Sequence, residues 1–321
     1  SVRDLYSLAA RVPGLSFEST WGGGNSYPTL RGQFSPSLGD TVGVFVDGVY
    51  QASRSALDVE LLDFEHVEVV SGPQSAMFGH SAFAGAISYV SAKPTESLAG
   101  SVALEAGSDQ YALARGVISG PLNERWLGRL AVGTRSADGY HTNSAQHGDP
   151  LGGYEHQAVA GTVATRARPD SPWAVSLSGR YEDDRLEHPP AGSLGGPDYN
   201  CGSQDPASGL WSYFCGAMPS DGPADISPGL PDSRTQVGQV LLKLGFALGE
   251  WRLESETSWY EAHANLVRDF DASSAGTQYG VCTAGANCAG PPGILRFVDR
   301  LVYANQVTRD VHDTRQWSQE F

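Results

Sequence analysis

Trp126, Trp173 and Trp251 each stand directly after a short turn, in the contexts NERW, DSPW and LGEW. This repetition restricts the C-terminal two thirds of the chain to one kind of architecture. From about Leu98 onward, apolar-alternating runs are separated by glycine, proline and polar clusters, the pattern of antiparallel strands. Candidate strands cover 98–108, 111–120, 126–138, 154–168, 173–183, 235–248, 251–263 and 313–321. The connections at Gly120 to Arg125, Pro169 to Pro172 and Gly249 to Glu250 are short, whereas those at 139–153, 184–234 and 264–312 are long. The hairpin at Ser108 to Gln110 is the one short link on the long-loop side. Short turns on one rim and long loops on the other, with indoles beside the short turns, describe a membrane-spanning meander with an interfacial girdle. Tyr140, Tyr154, Tyr181, Trp259 and Tyr260 fall toward the opposite rim, where a second girdle is expected.

Composition narrows the class. The chain of 321 residues is 40% hydrophobic with 39 glycines and 19 prolines, and no apolar run reaches the roughly 18–20 residues of a transmembrane helix. Residence in a membrane therefore requires a β-barrel, whose strands need only about 9–11 residues. A net charge of −15 without a basic cluster excludes nucleic acid as a partner.

Before the meander lies Val67 to Pro94, VEVVSGPQSAMFGHSAFAGAISYVSAKP. An apolar strand is ended by Ser71-Gly72-Pro73, since proline donates no ladder hydrogen bond and glycine accepts unusual dihedrals. Gln74 to Phe78 is expected to form one helical turn with Gly79 as its cap, and Ala86 to Ser91 to return as a strand after Gly85. Local chemistry fits either close backbone approach in a crowded interior or an ordinary turn in a soluble domain. With Leu30-Arg31-Gly32 and the VGVFVDGVY run from Val42 to Tyr50, the order of these motifs resembles the plug domain of TonB-dependent outer-membrane receptors over roughly the first 95 residues.

The resemblance implies an α+β plug domain over residues 1–96, followed over 97–321 by antiparallel transmembrane β-barrel strands. It implies a receptor that imports a scarce ligand, with partners being outer-membrane lipid and a TonB-type energy-transducing complex. A ferric siderophore is the commonest cargo of such receptors, with cobalamin, heme or oligosaccharide as alternatives. Apical plug loops would meet the ligand, here Trp21, Asn25, Tyr27, Ser37, Asp40, Tyr50, Gln51 and Arg54. Plugs of this kind carry two arginines that pair with barrel carboxylates. Arg31 matches the first, but Ser71 occupies the second position. Gly72, Pro73, Gly79 and Gly85 are the motif's turn positions.

The four cysteines form two local pairs, Cys201 with Cys215 and Cys282 with Cys288, each within a long loop. Their spacing lacks the paired short pattern of a zinc site, and loop disulfides in an oxidising compartment are expected. His141, His147 and His156 read as solvated loop residues, and Glu182, Asp183 and Asp184 as a hydrated rim. No nucleophile elbow, phosphate loop or supported carboxylate pair is present, so the sequence calls for no enzyme, cofactor or resident metal. A secreted β-rich binding module or a nonfunctional barrel remnant are the readings of another class.

Geometry sets the expected size. Eight strands tilted by about 40° close a barrel only about 16 Å across, whereas a compact domain of about 95 residues is near 30 Å wide. A barrel of about 22 strands accommodates it, so the chain is expected to hold a partial barrel, about 8 of those 22 strands. Gln319 and Arg315 break the apolar alternation of a terminal barrel strand, which predicts continuation beyond Phe321. Ser1 to Leu15 reads as an amphipathic helix without a signal sequence.

Overall fold

The structure, a computed structural model, describes residues 8–19, 26–33, 41–53, 57, 62–74, 82–144, 150–167, 171–189, 226–227, 229–269, 277–281, 300–304 and 307–320. Up to Ser91 these residues form two small sheets. β1 (Leu15–Ser19) pairs antiparallel with β2 (Ser26–Leu30). β3 (Val42–Val46), β4 (Val49–Tyr50), β5 (Phe64–Ser71) and β6 (Gly85–Ser91) make a four-stranded sheet in the order β4-β3-β6-β5. β3 and β6 run parallel; the other neighbours are antiparallel. Every residue of β3, VGVFV, is buried, as a strand covered on both faces requires. Leu8, Leu15, Leu30, Val44, Ile87 and Tyr89 close the core around it.

The turns follow from the sequence. Asp47 and Gly48 both have positive φ, 53° and 92°, and make the two-residue reversal that suits the twist of the β3–β4 hairpin. The Asp47 carboxylate accepts hydrogen bonds from the Ser91 backbone N–H at 2.8 Å and hydroxyl at 2.7 Å, tying this tip to the end of β6. Gly85 is required for a different reason. A Cβ there would lie 2.3 Å from the Val70 carbonyl oxygen and 2.5 Å from Leu30 Cδ1. The helical turn expected from Gln74 to Phe78, with its Gly79 cap, falls almost wholly outside the described residues.

The remaining chain is a meander of β7 (Ala99–Ala106), β8 (Ala112–Pro121), β9 (Trp126–Ala137), β10 (His141–Thr142), β11 (Pro150–Leu151), β12 (Tyr154–Thr165), β13 (Trp173–Leu186), β14 (Ser233–Leu248), β15 (Trp251–Asp269), β16 (Thr277–Val281), β17 (Arg300–Ala304) and β18 (Val307–Glu320). β10–β11 and β16–β17 are separate two-stranded pairs within loops, and the other eight form one antiparallel sheet in the order β18-β15-β14-β13-β12-β9-β8-β7. All eight strands read from the sequence are present. β15 and β18 extend further than their apolar alternation suggested, through polar runs such as Arg268-Asp269 and Thr308-Arg309-Asp310.

The sheet is two-faced. Val102, Ile118, Leu130, Val159, Leu177 and Val240 are exposed on one side, the lipid-facing pattern of a barrel. Ala131, Ala158, Val237, Leu241, Tyr260 and Ala262 are buried on the other. Trp173 and Trp251 are exposed, and Trp173 packs against Phe246 at a 45° tilt with ring centroids 4.4 Å apart. Asn123 closes the turn before Trp126 by accepting from the Arg125 and Trp126 amides at 2.8 and 3.0 Å.

Following the pairing from β9 to β15, each successive indole sits two residues beyond the row through the previous one. Two residues of rise against two strand spacings give a strand tilt of about 35°, the tilt of a barrel, which brings the indoles to one level. The opposite girdle needs correction. Tyr181 is exposed on the outer face, but Tyr260 is fully buried and Tyr154 shares the parity of the inward residues. Trp317, paired with Trp259 and exposed, joins the outward aromatics instead.

Candidate functional site at the domain and wall interface

The N-terminal domain is seated on the buried face of the large sheet by two apolar knobs. Val49, in the β3–β4 hairpin, packs into a cluster of Val237, Leu241, Tyr260 and Ala262. Leu62 packs against Ala131 and Ala158. Gly133 makes room for it, since a Cβ there would lie 2.9 Å from Leu62 Cδ1. Small residues on the wall thus determine where the domain's larger side chains enter.

Polar contacts sit beside each knob. Gln51, next to the hairpin, is 2% exposed and donates through Nε2 to the Val49 carbonyl and to Gln239 Oε1, both at 2.9 Å. Gln239 in turn donates to the Val46 carbonyl at 3.2 Å. Lys243 Nζ contacts Glu256 at 2.7 Å and the Asp47 carbonyl at 3.4 Å. Beside Leu62, the Asp63 carboxylate receives both arms of the Arg129 guanidinium, Nε at 2.6 Å and Nη2 at 2.5 Å. Glu96 at the start of the meander pairs with Arg166 at 2.7 Å. These contacts span as many as 196 positions of sequence.

The residues expected from sequence are placed as follows. Trp21, Asn25, Ser37, Asp40, Arg54 and Gly79 lie outside the described residues, as do Cys201, Cys215, Cys282 and Cys288. Tyr27 and Tyr50 are half-buried, and Tyr50 packs on Phe45 with centroids 5.5 Å apart. Gln51 faces the wall as described. Arg31 is exposed at positive φ, and its amide donates to the Gly14 carbonyl. Gly72, at φ 97°, and Pro73 form the turn after β5, where the Gly72 and Gln74 amides donate to Ala84 and Ala82.

The acidic triplet is not a hydrated rim. Glu182 is buried and faces inward, 2.8 Å from Arg180, while Asp183 pairs with Arg234 and Asp184 with buried His156. No group of three metal-ligating side chains occurs among the described residues. At the loop end of β13, partial burial raises the Glu187 carboxyl above the usual carboxylate range, opposed by a hydrogen bond from the Gly153 amide. Asp63, Arg129, Leu62 and Gln239 carried no sequence signal of their partnership, since each pair joins distant elements.

A small mixed domain with the VDG and SGP turns, packed on the inner face of a tilted amphipathic sheet, defines a plugged outer-membrane barrel. Residues 1–86 match the model of the TonB-dependent Receptor Plug Domain, and the chain as a whole is similar to TonB-dependent outer-membrane receptors. It is 28% identical over 258 residues to the pesticin receptor of Yersinia pestis, covering 78% of this chain and 35% of that protein. It is 26% identical over 188 residues to the vitamin B12 transporter of Photobacterium profundum, covering 58% and 30%. The crystal structure of the ferric yersiniabactin uptake receptor from Yersinia pestis superposes with a TM-score of 0.66 at 23% identity, covering 84% of this chain and 39% of that one. The chain thus spans about a third of the length of the curated relatives it matches.

Proposed function

We propose that this chain supplies the plug and the first eight strands of an importer that takes up a ferric siderophore and is driven by a TonB-type complex acting on the plug. The plug-domain match running on into a wall that grips the plug is the observation that carries the reading. Ferrioxamine receptors and vitamin B12 transporters are both among the relatives, and the higher identity to the ferrioxamine B receptor, 36% against 26%, favours the siderophore. A rare solute needs tight binding, tight binding opposes release, and work done on the plug resolves the conflict by shifting a two-state packing.

Ligand contact is assigned to the apical positions Trp21, Asn25, Tyr27, Ser37, Asp40, Tyr50, Gln51 and Arg54, where aromatic faces and an arginine suit a chelate with an acidic surface. For Gln51 this requires its amide to leave Gln239. Arg31 is assigned to a barrel carboxylate outside the described residues. The test is uptake by the full-length gene product in an outer-membrane host stripped of its own receptors. A panel of radiolabelled ferric siderophores, cyanocobalamin and heme is offered, with and without collapse of the proton-motive force. Energy-dependent accumulation of a ferric siderophore is expected. Accumulation of cobalamin or heme alone transfers the reading to that cargo, and no uptake of any ends the import proposal.

A further inference from the structure

Two guanidinium groups of the wall face the plug across one cleft of about 30 Å³. Arg129, on β9, holds the Asp63 carboxylate in a two-armed grip. Arg180, on β13, lines the same cleft with a side chain only 8% exposed. Its Nη2 lies 2.8 Å from Glu182, but without hydrogen-bond alignment, and Nε and Nη1 find no hydrogen-bond partner among the described residues. Thr162 and Ser178 supply hydroxyl groups between the two arginines. Of the carboxylates here, Glu182 belongs to the wall, while Asp63 and Asp47 belong to the plug, and the Asp47 carboxylate is engaged by Ser91.

A guanidinium fork recognises a planar oxyanion by shape as well as charge. Asp63 occupies that fork while the plug is seated. Once the plug moves from the wall, Arg129 loses its carboxylate partner, and its two-armed fork is open to an entering planar oxyanion. The incompletely bonded Arg180 stands next along the wall.

We propose that Arg129 and Arg180 form an oxyanion-accepting station on the barrel wall, masked by Asp63 in the seated state and taken over by a carboxylate or phosphate group of the cargo once the plug moves. The cargo's part in this rests on the import reading; the station itself does not. The experiment uses the full-length receptor in detergent, with citrate and inorganic phosphate as probes in titration calorimetry. The titrations are run at a urea concentration that releases the plug while the barrel stays folded, where Asp63→Asn keeps the side-chain shape but removes the charge that competes for the fork, and is expected to bind citrate about tenfold more tightly than the natural protein. Adding Arg129→Gln abolishes that gain, and adding Arg180→Gln in its place reduces it severalfold. Heat-modifiable electrophoretic mobility verifies that each variant is a folded barrel. Equal citrate affinity in Asp63→Asn and the natural protein, or a gain that survives both arginine replacements, overturns the station. Because anion binding is measured without transport, a receptor that imports nothing still either shows the gain or lacks it, while uptake without citrate binding removes the station and leaves the import reading standing.

Discussion

At the scale of single residues, two glycines of the same motif answer to different forces. Gly72 has positive φ with open space around it, so Gly72→Ala meets backbone strain alone, about 1 kcal/mol. Gly85 faces the Val70 carbonyl and Leu30, and Gly85→Ala forces β5 and β6 apart, costing about 1–3 kcal/mol. Amide hydrogen exchange across β5 and β6 in the full chain checks this. Exchange is expected to rise clearly for Gly85→Ala and little for Gly72→Ala, and equal effects would contradict the packing argument. The need for glycine at both positions was legible in the sequence, because a strand ended by Gly-Pro advertises its turn. The identity of what Gly85 approaches was not, since Leu30 and Val70 meet it only after β1–β2 and β5 have assembled.

Among elements, strand order and hairpin length could be read directly, because alternation and turn residues are local. Face assignment went astray at Tyr260 and Tyr154, where an aromatic near a strand end was expected outside although its parity is inward. Contacts between plug and wall were invisible for a similar reason. Gln51 and Gln239 are 188 positions apart and look unremarkable in isolation. Their bond is nonetheless buried, and breaking one side leaves the other amide desolvated, at about 1–3 kcal/mol. Gln51→Leu should therefore lower the urea concentration at which the plug opens, followed as ion conductance through the receptor in a planar bilayer. Gln51→Leu with Gln239→Leu should recover part of that loss. Strictly additive losses would mean that the two amides do not act as a pair.

For the whole molecule, the long loops carry the reading of compartment. The pairing of Cys201 with Cys215 and of Cys282 with Cys288 expected from the sequence predicts that a thiol-specific reagent applied to the denatured full-length receptor labels none of the four before reduction and all four after it. Labelling before reduction would remove the disulfides while leaving the barrel untouched. The loop sequences suggested these bridges through spacing alone. The girdle, by contrast, was recoverable because three short turns repeat one arrangement, and repetition survives the loss of every long-range contact.

That girdle also fixes a datum from which the wall can be measured. β7, β8, β9, β12, β13, β14 and β15 contain 8, 10, 12, 12, 14, 16 and 19 residues. With the indole rim level, the added length projects to the other side, and 11 further residues raise the parapet by about 30 Å between the first and the seventh of these strands. Among the described strands the upper edge is consequently cut on a slant, lowest at the β7–β8 hairpin and highest at β15.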